Sequence, residues 1–180
     1  LGLLSRHPME EKYRSQIRQL HPSNWSKVIA ATLSFGHGIT ASPLQIAGAY
    51  SKIINGRQGV HLSTSQLPKL RRRVVSQNTS ELVKTLLKAN VQSGEMSLAG
   101  VKTLDVGAYG GTSDMLTKSG SYDVKRVVST VAAAFPIEDP KYVVVVMLEN
   151  PVVRVDGEEF RTASWTVAPL VAQVIEQIRP

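Results

Sequence analysis

At 180 residues the chain is long enough for one domain with a real hydrophobic core. Its 42% apolar and 19% charged content excludes wholesale disorder. No run reaches the ~18 apolar residues of a membrane span, and the absence of cysteine removes disulfides, thiol catalysis and thiolate metal sites.

The segment from Leu1 to about Asn24 is polar and irregular, with helical potential only around Glu10 to Leu20. It opens on Leu1-Gly2-Leu3-Leu4 without a methionine, so we expect a piece of a longer polypeptide. A mildly apolar stretch, Trp25 to Leu33, leads into Ser34-Phe35-Gly36-His37-Gly38, whose two glycines mark a turn or a close backbone approach. Ser42 then offers an N-cap and Pro43 sits at the first helical position, where its missing N–H costs nothing. Ile46, Ala47, Tyr50, Ile53 and Ile54 fall on one helical face, with Gly56 as the stop. Residues 58 to 75 read as loop with short extended pieces. A second helix is expected from about Thr79 to Val91, with Asn78 and Glu81 as a capping box and Leu82, Val83, Leu86, Leu87 and Val91 as its apolar stripe.

Beyond the breaks at Ser93-Gly94 and Gly100 come three strand-like runs. Asp105 to Ser113 is short and glycine-rich, and Arg126 to Phe135 is long, with Ala132, Ala133 and Ala134 near its end. Lys141 to Leu148 is apolar on both faces, as a central strand should be. Ile137-Glu138-Asp139-Pro140 is a tight turn, which makes the last two runs an antiparallel hairpin. A closing helix starts near Ala168 or Pro169, with Leu170, Val171, Val174, Ile175 and Ile178 at helical spacing, and is the natural cover for one face of the sheet. The expected fold class is α+β: an antiparallel sheet flanked by helices.

Few residues offer chemistry by themselves. The four histidines, His7, His21, His37 and His61, show neither His-x-x-x-His nor Glu-x-x-His spacing, so no metal site and no cofactor is expected. The net charge of +7 suits an anionic lipid or polymer nearby. Its densest run, Lys69-Leu70-Arg71-Arg72-Arg73, lacks interleaved aromatics and reads as a solvated loop or strand edge; a phosphate-binding module for nucleic acid is the weaker alternative.

The order of features carries a resemblance. "LSFGHGITASPLQIAGAYSKIINGRQGV" resembles a Pro-Leu-Gln-containing segment of penicillin-binding proteins, and "GSYDVKRVVSTVAAAFPIEDPKYVVVVMLENP" is similar to their hairpin, Gly-x-Tyr-Asp-x-Lys-Arg followed by Pro-x-x-Asp-Pro-x-Tyr-Val-Val. "TASWTVAPLVAQVIEQI" is similar to their closing helix. The likeness is to the class B, division-type transpeptidases and runs over nearly the whole chain. It implies the serine β-lactamase/DD-peptidase-like transpeptidase fold in part, with residues 1–180 as the C-terminal portion of the domain. Strands that precede the nucleophile would complete the sheet there and a helical subdomain would cover its flank, so an exposed sheet edge or apolar face is expected here, hidden by self-association in the isolated piece.

In that family Ser-x-x-Lys, Ser-x-Asn and Lys-[Thr/Ser]-Gly converge on one cleft, where a serine forms an acyl-enzyme and backbone N–H groups hold the oxyanion. No Ser-x-x-Lys occurs in this chain; the nearest pattern, Thr85-Leu86-Leu87-Lys88, lies mid-helix. Ser76-Gln77-Asn78 is a literal Ser-x-Asn explained by helix capping. For the third motif the spacing to Pro136 favours Tyr109-Gly110-Gly111-Thr112; Lys118-Ser119-Gly120-Ser121 and Lys102-Thr103-Leu104 fit it less well. In the favoured register Tyr109, Gly110, Gly111 and Thr112 are the substrate-binding residues: Gly111 lets an acyl group lie against the strand, and Thr112 supplies an N–H and a hydroxyl. Tyr109 replaces the lysine that helps hold a substrate carboxylate, and Gly110 brings slack to a strand that should be rigid.

The resemblance therefore implies a peptidoglycan D,D-transpeptidase that cross-links stem peptides through an acyl-serine and binds β-lactams, at the periplasmic face of a bacterial inner membrane, with division proteins as further partners. No catalytic residue lies in this chain, which is expected not to acylate. The alternative is a degenerate, non-catalytic relative that acts as a cell-wall or division binding module.

Overall fold

The computed structural model describes residues 25–34, 36, 38–55, 74–117 and 121–178. The helical potential near Glu10, the Lys69 to Arg73 run, Gly56, all four histidines and Lys118 to Gly120 lie outside them.

Among the described residues, three α-helices precede the sheet. Helix α1 (Lys27–Leu33) is capped by Ser26, whose hydroxyl accepts from Ile29 N, and buries no residue. Helix α2 (Pro43–Ile54) starts as the sequence suggests. The Ser42 hydroxyl accepts from Gln45 N at 3.2 Å, and Gln45 Oε1 accepts from Ser42 N at 2.8 Å, a closed capping box with Pro43 at the first helical position. Its fully buried residues are Gln45, Ala49, Ser51 and Ile54, whereas Ile46, Ala47, Tyr50 and Ile53 are only half-buried. Helix α3 (Gln77–Gln92) departs from expectation at its start. Its N-cap is Ser76, which has extended backbone and accepts from Thr79 N; Asn78 lies inside the helix. The buried stripe is also rotated from the expected one. Ser80, Lys84, Leu87 and Val91 face inward, while Leu82 and Leu86 are each 60% exposed.

Polar partners explain that rotation. The fully buried Ser80 hydroxyl contacts the Ile53 and Ile54 carbonyls at 2.6 and 2.9 Å, satisfying acceptors that the end of α2 leaves open. Lys84 Nζ donates to the Glu138 carbonyl at 3.1 Å, and Lys88 reaches the carboxylates of Asp105 and Glu138. Helix α3 is thus fastened at once to α2, to the approach to the sheet and to its far turn.

The sheet has the order β1-β2-β3, with β1 (Gly107–Leu116), β2 (Tyr122–Phe135) and β3 (Tyr142–Glu149) all antiparallel. The hairpin after β2 is as expected; among the described residues β2 stands between the other two strands, with the all-apolar β3 at one edge. Both faces of β3 are half-covered, and its outer edge has no strand partner among the described residues. The centre of β2 is the most enclosed part of the molecule: Val131, Ala133, Ala134 and Phe135 have no solvent exposure. The small alanines let layers approach from both sides. One face carries the main core, Met96, Ala108, Val131, Ala133 and Phe135 against Val167, Val171 and Ile175; the other packs Ala134 with Ile54, Leu87 and Ile137.

A short hairpin, β4 (Val153–Val155) with β5 (Glu158–Phe160), follows, unforeseen in the sequence reading. Its turn is Asp156-Gly157, with φ of 51° and 87°, the left-handed pair a two-residue turn requires. Helix α4 (Ala163–Thr166) then leads into the closing helix α5 (Ala168–Ile178), which buries Ala168, Val171 and Ile175 as its spacing predicts.

Replacing Ser80 by Ala should leave two carbonyls without their buried donor and destabilise the chain by about 1–3 kcal/mol. Thermal denaturation should show a fall in Tm of roughly 2–4 °C for each kcal/mol lost; an unchanged midpoint would remove this tie from the account.

Candidate functional site

The site is built on one margin of the sheet. Strand β1 pairs with β2 through Gly107↔Ala134, Tyr109↔Ala132, Gly111↔Thr130 and Ser113↔Val128, without irregularity until Asp114/Met115. In an antiparallel pair successive residues alternate between bonding their neighbour and pointing away from it. Three bonds fix the phase. Asn150 N donates to Val127 O, which assigns the odd-numbered residues of β2 to β3 and the even-numbered ones to β1. Ile137 N donates to Asp105 O, in the same phase as Gly107. Asn90 Nδ2 on α3 donates to Ala108 O at 3.0 Å from outside the sheet. Tyr109 and Gly111 therefore bond β2, while the N–H and C=O of Ala108, Gly110 and Thr112 face away from it along the margin.

A groove of about 530 Å³ runs along this margin, walled by Gly94 to Leu98 on one side and Thr162 to Trp165 on the other, with Gly110, Gly111 and Thr112 between. Trp165 is braced by Phe160, ring centroids 4.7 Å apart. The two glycines differ in kind. A Cβ on Gly110 would lie 2.9 Å from Val131 Cγ2 and 3.0 Å from both Met96 Sδ and Thr130 O. Gly110 is therefore a close-packing position, and the slack expected of it is taken up by Met96 and Val131. A Cβ on Gly111 would meet nothing within 4 Å, so packing within the described chain does not demand its bareness.

The Thr112 hydroxyl is committed. Ser129 Oγ donates its proton to Arg161 O at 2.7 Å, so in the 3.2 Å contact between the two hydroxyls Thr112 is the donor. Thr112 Oγ1 in turn accepts from Ala163 N at 2.9 Å. This chain fastens the margin to the first residue of α4, and it leaves the main-chain N–H as what Thr112 can offer a ligand.

Tyr109, on the opposite face of β1, borders a second, apolar groove of about 450 Å³ with Tyr50, Ile53, Ile54, Val83, Leu86, Leu87 and Asn90. The Tyr50 hydroxyl is buried there without a hydrogen-bond partner among the described residues. Burial, reinforced by the nearby Tyr109, pushes its pKa up, so the phenol stays neutral at physiological pH. Among the described residues, no lysine or arginine lines either groove. The other readings of the third motif fall elsewhere: Lys102 and Thr103 are exposed in the turn between Val101 and Leu104, and Ser121 ends the β1–β2 connection. Ser76, from the Ser-x-Asn pattern, is spent on the cap of α3, and Leu87 of the Thr85 to Lys88 pattern is in the core. Sequence reasoning missed Asn90, Met96 and Ser129; they become visible only through the strand register and the Asn90 and Met96 contacts. Among the described residues, no group of three or more His, Asp and Glu could hold a metal ion.

Residues 7–172 match the family model of the penicillin binding protein transpeptidase domain. The chain is 34% identical over 192 aligned positions to a probable peptidoglycan D,D-transpeptidase FtsI of Caulobacter vibrioides, covering 100% of this chain and 32% of that protein. A probable peptidoglycan D,D-transpeptidase PenA of Neisseria flavescens is 32% identical over 131 residues, 71% of this chain and 32% of its own length. The chain thus spans about a third of the length of these relatives. Penicillin binding protein 3 of Mycobacterium tuberculosis, solved in complex with ampicillin, superposes with a TM-score of 0.70 at 27% identity over 89% of this chain and 39% of that one. The transpeptidase domain of FtsI4 from Legionella pneumophila shares the fold, with a TM-score of 0.68 at 16% identity over 94% of this chain and 60% of that one.

Two variants test how the margin is packed. Gly110→Ala should cost about 1–3 kcal/mol by overpacking Met96 and Val131, whereas Gly111→Ala should stay within about 0.5 kcal/mol. Chemical denaturation of both separates them, and equal losses would refute the distinction. Tyr50→Phe deletes an unpaired buried hydroxyl and should leave Tm unchanged or raise it; a clear fall would mean that the hydroxyl has a partner.

Proposed function

This chain belongs to the penicillin-binding protein transpeptidase domain family, class B, and on that premise we propose that it forms one wall of an acyl-transfer cleft in a longer peptidoglycan D,D-transpeptidase. The chain is the C-terminal portion of that domain, and the serine nucleophile and its lysine are carried by polypeptide outside these residues. The single observation that best supports this reading is Gly111 with Thr112: a bare, exposed residue that packing does not require, followed by an outward-facing main-chain N–H on a free strand margin.

The chemistry follows from that arrangement. An acyl donor laid against β1 finds no side chain at Gly111, so its carbonyl can approach the strand. As the serine oxygen adds to that carbonyl, charge gathers on the carbonyl oxygen. The Thr112 N–H, fixed by the ladder on its other side and by the Thr112–Ser129–Ala163 hydrogen bonds, is a donor already in place for that charge. The described chain contributes binding and oxyanion stabilisation, and no proton-transfer group. Its ligands are the peptidoglycan stem peptide and β-lactams, with Tyr109, Gly110, Gly111 and Thr112 as the binding residues. The site works at the periplasmic side of the inner membrane, beside division proteins. No helix among the described residues is long and apolar enough to cross a membrane.

A second reading rests on Tyr109, which we assign to the position of the signature cation, and on the grooves, where no lysine or arginine among the described residues stands in its place. A phenol carries no positive charge, and a protein so altered can retain the cleft for binding while turning over slowly or not at all.

Fluorescent penicillin labelling of the full-length protein separates the two. Covalent labelling supports the transpeptidase, and retention of penicillin without labelling supports the binding module. Restoring the cation with Tyr109→Lys should raise the second-order acylation rate by about ten- to a hundredfold, the worth of one charge-assisted contact. The 180-residue chain alone should remain unlabelled; labelling of it would show that the nucleophile lies within these residues.

A further inference from the structure

We propose that Asn90 is a positioning residue that sets the register of an extended ligand on the free margin of β1. This rests on the reading that the margin faces a ligand. An edge strand presents its outward groups every second residue, here Ala108, Gly110 and Thr112, and an incoming segment can pair wherever they are uncovered; Ala108 is fully enclosed, with the Asn90 amide against its carbonyl. A slip by two residues keeps every side chain on its own face, so side-chain patterning does not forbid it, yet it moves the ligand about 7 Å along the strand. A carbonyl displaced that far no longer meets the Thr112 N–H.

Asn90 removes the first pairing position. Its Nδ2 donates to Ala108 O at 3.0 Å, so that carbonyl is already engaged before a ligand arrives and pairing is confined to Gly110 and Thr112. The orientation of the amide is dictated on both ends. Only the NH₂ end can serve a carbonyl, and the Oδ1 end occupies space that a Cβ on Gly94 would enter, 2.4 Å away. The main-chain oxygen of the same residue accepts from Gly94 N at 3.1 Å and Met96 N at 3.2 Å. That holds the loop walling the groove and sets Met96 Sδ beneath Gly110. One residue therefore fixes the end of the margin and the wall beside it.

The test uses the full-length protein, a peptide thioester as extended acyl donor and fluorescent penicillin as a compact one. Asn90→Ala frees Ala108 O, and Asn90→Asp keeps the side chain's size while removing the donor; Gly94→Ala is unsuitable because its Cβ would also lie 2.8 Å from the Cα and main-chain O of Asn90. A slipped ligand is bound unproductively, so kcat and KM for the thioester should fall together by about fivefold, with kcat/KM nearly unchanged. Penicillin, too short to slip, should acylate within about twofold of the wild-type rate. Lys88→Ala serves as the structural control, because Lys88 fastens the same helix to Asp105 and Glu138 outside the groove; it should lower Tm and leave both kinetic constants alone. The inference is overturned if Asn90→Ala leaves kcat and KM unchanged, raises KM at constant kcat, or only reproduces the Lys88→Ala behaviour. A wild-type protein that takes neither donor overturns the transpeptidase reading and this inference with it, whereas a wild type that takes both while the variants behave normally overturns this inference alone.

Discussion

The pairing of β1 with β2 is the constraint on which the rest of the molecule depends. Its phase turns the N–H and C=O of Gly110 and Thr112 out of the sheet while burying Ala108 in the main core. A slip of one residue would exchange the two sets: the outward groups would be those of Tyr109 and Gly111, and Ala108 would leave the core. The register is strongly specified because β2 supplies a fully buried stretch from Val131 to Phe135 that fits between two helical layers only one way round. The chemistry proposed for the margin is thus inherited from the packing of alanines and valines beneath it.

At the position proposed for the family signature, Tyr109 and Gly110 are accommodated by their surroundings. Met96 and Val131 occupy the volume that a side chain at residue 110 would need, and Tyr109 lies beside Tyr50, Val83 and Leu86 in an apolar groove where a lysine would meet no anion among the lining residues. In the proposed reading the wall keeps its rigidity and its backbone donor, and among the described residues it offers no positive charge. A cleft of this kind favours recognition by main-chain pairing and shape over recognition of a carboxylate.

Much of the architecture was legible in local sequence. Ser42-Pro43, the turn from Ile137 to Pro140 and the spacing of Val171 and Ile175 each encode an element through nearby residues alone, and each appears where expected. What escaped depends on partners distant in sequence. Ser76 and Asn78 both fit a capping pattern with the residue three places on, and only the extended backbone at Ser76 decides between them. Leu82 and Leu86 match the periodicity of α3, but Ser80, Lys84 and Lys88 turn the helix toward α2 and Glu138. The apolar run of β3 suggested a central strand, yet among the described residues it stands at an edge, with Val144, Val146 and Leu148 on the core of the closing helix. Asp156-Gly157 did carry a hairpin signal, unused because the flanking strands are three residues each. Gly110, Gly111 and Thr112, named from the sequence as candidates, line the groove along the margin. Asn90, Met96 and Ser129 were not named, because their roles arise from register.

The central claim is that the Thr112 N–H stands free until a ligand takes it. Residue-resolved amide hydrogen exchange on the full-length protein, with and without a bound β-lactam, measures this directly. The account predicts slow exchange at Tyr109, Gly111 and Ser113 in both states, and fast exchange at Thr112 that slows sharply on binding. Slow exchange at Thr112 in the unliganded protein, or fast exchange that the ligand leaves unchanged, would contradict it.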